Sequence, residues 1–447
     1  MSKSSESSLT VYKGAFVHSK NVNEIEFLPN ATLVVDADGK ITAFHKYPSE
    51  DIELPADARV ETIPPGDFLI PGFIDTHNHA PQWPMRGRGQ GLHILDWLEK
   101  ITFPHEARFA DPIYARKAYE SCVDGFLRQG ITTASYYGSS HAEATCILAD
   151  ICLEKGQRAF VGKCNMDRNA PDSVRDLSAQ TSLEETKACI AHIHSLPQGP
   201  SALVQPVLTP RFAICCTPEL LAGLGELATS DPTLAIQTHF NEAQQEISLT
   251  RSLFPSFASE ADLYASFNLL TPRSVLAHCT LMTERETHRL RDLRCGVAHC
   301  PVANMTVGGG FMAAPVAAFL RAGIKVGLGT DSGGGFSASM LDGVRQAIIA
   351  ANARDAMDGG RGEEVLTLAQ AFWLATAGGA EVLGLEGVVG RFAVGMEFDA
   401  VWVETGVSSG MTGVEEGEGL EGVWETFLMT GDDRNVGRVF VRGRRVK

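Results

Sequence analysis

Histidine and acidic side chains recur in this sequence where short apolar runs end. His77-Asn78-His79 closes Phe-Leu-Ile-Pro-Gly-Phe-Ile-Asp-Thr, and His239 closes Leu-Ala-Ile-Gln-Thr-His. His278 closes Ser-Val-Leu-Ala-His, and Asp331 closes Val-Gly-Leu-Gly-Thr-Asp. On a strand, residues i and i+2 share a face, so the imidazoles of His77 and His79 can approach one ion. The pair His192-Ile193-His194 has the same spacing but falls within or just past a helical stretch, where two positions lie about 200° apart. It is read as a surface or loop pair. Neutral imidazoles with a carboxylate suit a borderline cation, Zn²⁺ ahead of Fe²⁺. Glu242 follows His239 by three residues, in the stretch expected to leave the strand. A carboxylate there can stand beside an activated water and carry its proton. The competing reading is an acid that starts a helix.

These side chains need a frame that brings distant strand ends together. Eight candidate strands occupy the middle of the chain: Phe68–His79, Thr132–Tyr137, Ala159–Asn165, Ala202–Arg211, Leu234–Phe240, Ser274–His278, Gly296–Cys300 and Lys325–Asp331. Helical stretches such as Leu183–Ile193 and Leu366–Ala377 alternate with them, the pattern of a parallel α/β fold. The expected architecture is α/β: a TIM-like (β/α)8 barrel over residues 71–385. Short strands with turn signals occupy 1–70 and 386–447, among them Leu9–Phe16, Ala31–Val35, Lys40–Phe44, Arg59–Thr62, Asp399–Val403 and Val436–Val441. They are expected to form one small β-sandwich domain from the two ends of the chain. In a barrel, the C-terminal strand ends converge on the catalytic face. Asn165, Asp167, Arg211 and His299 also lie at or near such ends.

The composition narrows the chemistry. With 38 Lys+Arg against 54 Asp+Glu the formal net charge is −16, which argues against nucleic acid or an anionic membrane as partner. Hydrophobic residues make up 44 %, enough for a large core. The polar opening Met-Ser-Lys-Ser-Ser-Glu-Ser-Ser has no apolar signal core, and no apolar run is long enough to span a bilayer. The 10 cysteines are scattered apart from Cys215-Cys216 and are read as free thiols of a cytosolic protein. Gly413–Gly422, rich in Gly and Glu, reads as an exposed excursion, and Arg442, Arg444 and Arg445 as a solvated end.

Pro-Gly-Phe-Ile-Asp-Thr-His-Asn-His at 71–79, with His239, His278 and Gly-Thr-Asp at 329–331, resembles the amidohydrolase superfamily of barrel metalloenzymes. Further stretches resemble the guanine deaminases of that superfamily: Trp97-Leu98-Glu99 with Thr102-Phe103-Pro104, Arg158–Lys163 with Met166-Asp167, and Thr209-Pro210-Arg211-Phe212. Ala298-His299-Cys300-Pro301, Ser339-Met340-Leu341-Asp342 and Gly431–Asn435 extend the likeness, which runs from about residue 65 onward. It implies one zinc per subunit held by His77, His79, His239 and Asp331. Glu242 would be the proton shuttle, Asp331 a proton acceptor, and His278 a hydrogen-bonding group at the reacting centre. Gln82, Arg211 and Phe212 match purine-contacting positions. His239 and Glu242 would border the substrate as well, and Trp83 is a candidate stacking partner. The implied reaction is hydrolysis of guanine to xanthine and ammonia, by a homodimer. Arg211 is a cationic fork suited to a ring carbonyl. An unanswered buried guanidinium would penalise an amino group at that place by several kcal/mol.

Two segments depart from the family pattern: Trp83–Gly89, and Val302–Gly310 after His-Cys-Pro. Strand four ends Leu208-Thr209-Pro210-Arg211 without a bridging lysine or carboxylate, which favours a single metal ion, with Lys163 the residue that could argue otherwise. The zinc deaminases of another fold use His-x-Glu with Pro-Cys-x-x-Cys; His141-Ala142-Glu143 is present but no such cysteine pair follows. A triazine, pterin or adenosine-type substrate is the rival within the superfamily. A barrel retained as a non-catalytic partner protein is the rival outside it.

Overall fold

The computed structural model describes residues 9–47, 58–199, 201–308, 310, 312–406 and 417–447. The polar opening and residues 413–416 of Gly413–Gly422 lie outside the described residues.

Among these, Phe73–His79, Ile131–Tyr137, Arg158–Gly162, Val204–Pro210, Ala235–Phe240, Ser274–His278, Gly296–His299 and Lys325–Leu328 pair in this order, each parallel to the next. They are referred to below as barrel strands one to eight. The eighth returns to the first: Thr76 donates to the Leu328 carbonyl at 2.8 Å, and the Asp331 amide to the His77 carbonyl at 2.9 Å. The barrel is therefore nearly closed, as the alternation of strands and helices implies. Strands rich in β-branched and aromatic residues, such as Ile-Thr-Thr-Ala-Ser-Tyr-Tyr, are buried along their length. The intervening helices start on polar caps. Asp111, Ser178, Thr217 and Thr283 each accept a backbone N–H of their helix, and Thr283 with Glu286 forms a capping box.

The expected strand Phe68–His79 is two strands. Phe68–Pro71 belongs to the small domain and Phe73–His79 to the barrel. The break falls at Gly72, where a Cβ would meet the Thr132 hydroxyl at 2.1 Å, so only glycine lets the chain pass so close to strand two. The third candidate strand is also interrupted, at Lys163, leaving Arg158–Gly162 and the short Cys164–Asn165.

The strands of both chain ends form one mixed sheet. Its order is Arg444–Arg445, Val436–Val441, Ala400–Val403, Phe68–Pro71, Leu9–Asn21, Glu24–Asp36 and Ile41–His45, with Arg59–Thr62 beside Leu9–Asn21. The expected short strand Ala31–Val35 is part of a longer one: Glu24–Asp36 is one strand, paired with Leu9–Asn21 through a register shift between Gly14 and Phe16. The bulge lets the strand run on through Pro29-Asn30 without ending the pairing. Side chains alternate across the sheet. Tyr12, Phe16, Leu69, Trp402 and Phe440 form a core of their own with Phe392 and Phe398, while Phe68, Ile70, Val401 and Val403 join the core beneath the barrel helices.

Candidate active site

The C-terminal ends of strands one, five, six and eight place His77, His79, His239, His278 and Asp331 in one buried cluster. His79 Nε2 lies 3.0 Å from His239 Nε2, and Asp331 Oδ1 lies 3.3 Å from His77 Nε2 and 3.6 Å from His79 Nε2. One candidate ligand atom each from His77, His79 and Asp331 falls within 4.8 Å of the others, and the same holds for His77, His239 and His278. His77 Nε2 and His278 Nε2 are buried without a hydrogen-bond partner among the described residues. Buried polar atoms are normally satisfied. An N,N,N,O donor set converging around orphaned imidazole nitrogens therefore fits a divalent cation, with zinc geometry well served by such ligands.

Orientation is set from behind. His239 Nδ1 lies 2.6 Å from the Arg211 carbonyl, so Nδ1–H donates backward and Nε2 faces the cluster with its lone pair. His278 Nδ1 lies 2.8 Å from Asn304 Oδ1, with the same consequence for its Nε2. The Asp75 carboxylate accepts from the Thr330 amide at 2.9 Å and the Thr330 hydroxyl at 2.6 Å, fixing the turn that presents Asp331. Backbone strain gathers here. Asn241, His278, Cys279 and Asp331 have φ of 44°, 75°, 48° and 44°, a region that residues other than glycine seldom occupy.

Electrostatics point the same way. Burial depresses the basicity of His77, His79 and His239, keeping them neutral and able to ligate. Burial alone would raise Asp331, but the surrounding imidazoles, His77 foremost, hold it well below the usual carboxylate range. Glu242 is buried 3.7 Å from His278 Nε2, and burial pushes its carboxyl up.

The cluster forms the floor of a cavity of about 370 Å³ lined by His79, Gln82, Ile94, Trp97, Leu98, Arg211, Phe212, His239, Glu242, Val307, Asp331 and Gly334. It is a mostly apolar slot with a few polar groups, the usual form of a small-molecule site. Gln82, Arg211, Phe212, His239 and Glu242 are thus brought together. Trp83 is not: its indole donates to Ser121 and packs on Phe126, with Arg86 over its face. Trp97 takes the cavity wall instead, anchored by its indole N–H on the Arg88 carbonyl at 3.0 Å. Within Trp83–Gly89, then, Arg88 braces the wall while the tryptophan packs outside it. In the other departing segment, Asn304 orients His278 and Val307 lines the cavity; Gly309 lies outside the described residues.

Arg211 is buried and paired with Glu106, Nη1 to Oε2 at 2.7 Å and Nη2 to Oε1 at 3.2 Å. The cation expected to stand unanswered is therefore neutralised by its own chain, and any discrimination it exerts is that of a hydrogen bond rather than of a naked charge. Glu106, Asn304 and Trp97 were not among the site residues expected. The one available signal for Glu106 was indirect: a buried arginine requires a carboxylate, but 105 residues separate the two. Lys163 is paired with Asp176 at 2.7 Å and is absent from the cavity lining. His192 is paired with Asp150 at 2.7 Å on the helix Ala179–Ser195, and His194 is exposed.

A family model described as "Amidohydrolase family" matches residues 68–446. The chain belongs to the amidohydrolase family. Among curated relatives, this amidohydrolase is 38 % identical to a guanine deaminase of Dictyostelium discoideum over 451 residues, covering 98 % of each chain. It is 37 % identical to a guanine deaminase of Mus musculus, covering 98 % of this chain and 96 % of that one. Its fold superposes on a solved guanine deaminase from C. acetobutylicum with bound guanine in the active site, with a TM-score of 0.88 at 30 % identity, covering 98 % of this chain and 100 % of that chain. All 10 cysteines of the amidohydrolase are free, and no helix among the described residues is long and apolar enough to cross a membrane.

Proposed function

We propose that this amidohydrolase hydrolyses guanine to xanthine and ammonia with one zinc ion, held by His77, His79, His239 and Asp331. The observation that carries the reading is the shared cavity: Glu242 and the histidine–aspartate cluster open onto the same apolar slot as Arg211 and Gln82. The relatives named guanine deaminase, and the solved relative with guanine bound, support it.

The ion, when bound, supplies Lewis-acid activation of water at neutral pH. The chain's own groups do the rest. Phe212 and Trp97 both line the slot and offer a flat ring apolar surface. Arg211 donates to the ring carbonyl, which guanine has and adenine lacks. Glu242 takes a proton from the attacking water, gives it to the ring nitrogen beside the amino-bearing carbon, and later protonates the departing amine. Asp331, held anionic, accepts the second water proton and hands it on to Glu242 as the proton that leaves with the amine, and His278 hydrogen-bonds to the oxygen added at the reacting carbon. One C–O bond forms, one C–N bond breaks, and water is the only co-reactant. A neutral substrate fits a wall whose one arginine is already balanced by Glu106. We further propose that the small domain is built from 1–70 and 386–447 around a barrel of 71–385. A homodimer in the cytosol is the assembly and compartment that the family likeness and the free thiols suggest.

The test is guanine with purified protein, followed by xanthine absorbance and ammonia release, before and after chelation and with zinc restored. Chelation should abolish turnover and zinc should return it. Ammonia from adenosine or a triazine but not from guanine would overturn the substrate, and chelator-insensitive turnover would overturn the metal.

A further inference from the structure

One carboxylate holds two of the cavity's polar side chains. Glu106 accepts from both terminal nitrogens of Arg211, at 2.7 and 3.2 Å, and from Gln82 Nε2 at 2.8 Å. All three side chains are buried, with Gln82 1 % and Arg211 2 % exposed. A carboxylate can only accept, so it determines which end of the Gln82 carboxamide faces it: the NH2 must turn to Glu106, and the oxygen must turn away. That oxygen has no donor among the described residues. It rests against Gly333, where a Cβ would lie 2.0 Å from it, so the backbone there leaves room for the amide in this orientation. Arg211 is similarly committed. Two of its nitrogens are engaged by Glu106, and its remaining N–H groups can only donate.

We propose that Glu106 is the positioning residue that fixes the hydrogen-bond polarity of the site, holding Arg211 as donor and Gln82 as acceptor so that the cavity selects a ring carbonyl beside a ring N–H. Such a lactam edge distinguishes a 6-oxopurine from a 6-aminopurine, whose donor and acceptor are interchanged. Selectivity therefore comes from a matched pair of polar groups whose orientation a third residue enforces. A group left without its partner in a dry site costs far more than a poorly placed methylene. Without the carboxylate, the carboxamide can present either end and the guanidinium can swing, so the edge is no longer read. Glu106 itself acts through its two neighbours.

The inference rests on the purine reading of the site, and the experiment separates the two. Guanine turnover serves as the reporter, and hypoxanthine and unsubstituted purine serve as competitive inhibitors; these two differ in the lactam edge alone. For the native enzyme, hypoxanthine should bind about ten- to a hundredfold more tightly than purine, the value of one or two well-formed buried hydrogen bonds. In Glu106→Gln that ratio should fall to about threefold or less, because hypoxanthine weakens while purine hardly changes, and KM for guanine should rise more than kcat falls. Glu106→Asp, which keeps an acceptor, should restore part of the ratio. Gln82→Met leaves the Arg211–Glu106 pair intact and covers the case in which Glu106→Gln does not fold. It should lower the ratio about tenfold by removing the acceptor alone. Equal loss of both inhibitors in Glu106→Gln, or an undiminished ratio in Gln82→Met, would overturn the proposal while leaving the substrate reading standing. A native enzyme that releases no ammonia from guanine would overturn the substrate reading first.

Discussion

The two ends of the barrel each bury a cluster of charge, and they treat it in opposite ways. At the N-terminal end, Arg158 opens strand three and is 1 % exposed. Its Nε and Nη2 donate to both Asp399 oxygens at 3.1 Å, and Nη2 also to Glu397 at 2.6 Å. Glu397 accepts in addition from Arg442 at 2.9 Å and Ser201 at 2.9 Å. The network ties the barrel to the C-terminal segment. At the C-terminal end, His77 and His278 point nitrogens at atoms that do not answer them, and several residues are held at positive φ. A satisfied cluster contributes to holding the fold together. A cluster with open valences is held in place by the fold and reserved for something else. Burial is common to both, and a positive φ occurs in the first cluster too, at Arg442 with 47°, so neither alone marks function; unpartnered imidazole nitrogens converging on one point do.

If that contrast is right, mutations at the two ends should separate activity from stability. The largest effect is expected for Glu242→Gln, which removes the transferable proton but keeps size and shape. Turnover should fall about 10²- to 10⁴-fold. Metal content by elemental analysis and the melting temperature should stay near the native values. A variant that loses stability together with activity would erase the distinction drawn between the two ends.

Arg158→Met tests the other end. It strands two buried carboxylates that only Arg442 then balances, so the loss should be about 3 kcal/mol, the lower part of the range for breaking a buried ion pair. Denaturant unfolding reads it directly. The turnover of the folded fraction should be unchanged, since Arg158 is absent from the cavity lining. A fall in kcat without a fall in stability would place Arg158 in the functional machinery instead.

The tryptophans sharpen the contrast within the active end itself. Trp97→Ala should raise KM for guanine about five- to tenfold through lost ring contact, whereas Trp83→Ala should act on stability and leave KM alone. The pair also shows how far a sequence carries. His77, His79, His239, His278, Asp331 and Glu242 were legible because a strand ends at a defined place and a polar residue at that place is conspicuous. Barrel closure then brings the ends together with no further information. Trp83 directly follows Gln82 and Trp97 comes fifteen residues after it, and nothing in the local pattern says which indole turns inward. Glu106 was hidden for a similar reason. It lies on the irregular helical stretch after strand one, and its meaning comes from Arg211, on the far side of two intervening strands. Fold was readable down to single strands except where one residue interrupts a run, as Gly72 and Lys163 do, because the interruption is made by a neighbouring strand and not by the run itself.

A third buried ionisable group, in the small sheet, asks whether a satisfied site can still respond to pH. His18 is 4 % exposed, with Nε2 2.9 Å from Glu26 and Nδ1 accepting from the Phe392 amide at 3.4 Å. Both ring nitrogens are therefore occupied in the neutral tautomer that carries its proton on Nε2. A second proton on Nδ1 would face the Phe392 N–H. Burial lowers the pKa from 6.5 to about 4; Glu26 opposes the shift, while Lys46 and Arg391 reinforce it. Between these two values the unfolded chain binds the proton and the folded chain does not, so stability rises with pH across the window. The contribution is fully present above about 6.5, the ordinary histidine value, and is lost as the pH falls towards about 4. A shift of this size discounted for the Glu26 pair corresponds to about 2 kcal/mol. Chemical denaturation at pH 7.0 and 4.5, run in parallel on the native protein and on His18→Gln, should show a steeper acid loss in the native chain. Equal slopes would mean that His18 is protonated in the folded sheet, held there by Glu26, and that this satisfied site is indifferent to pH over the window.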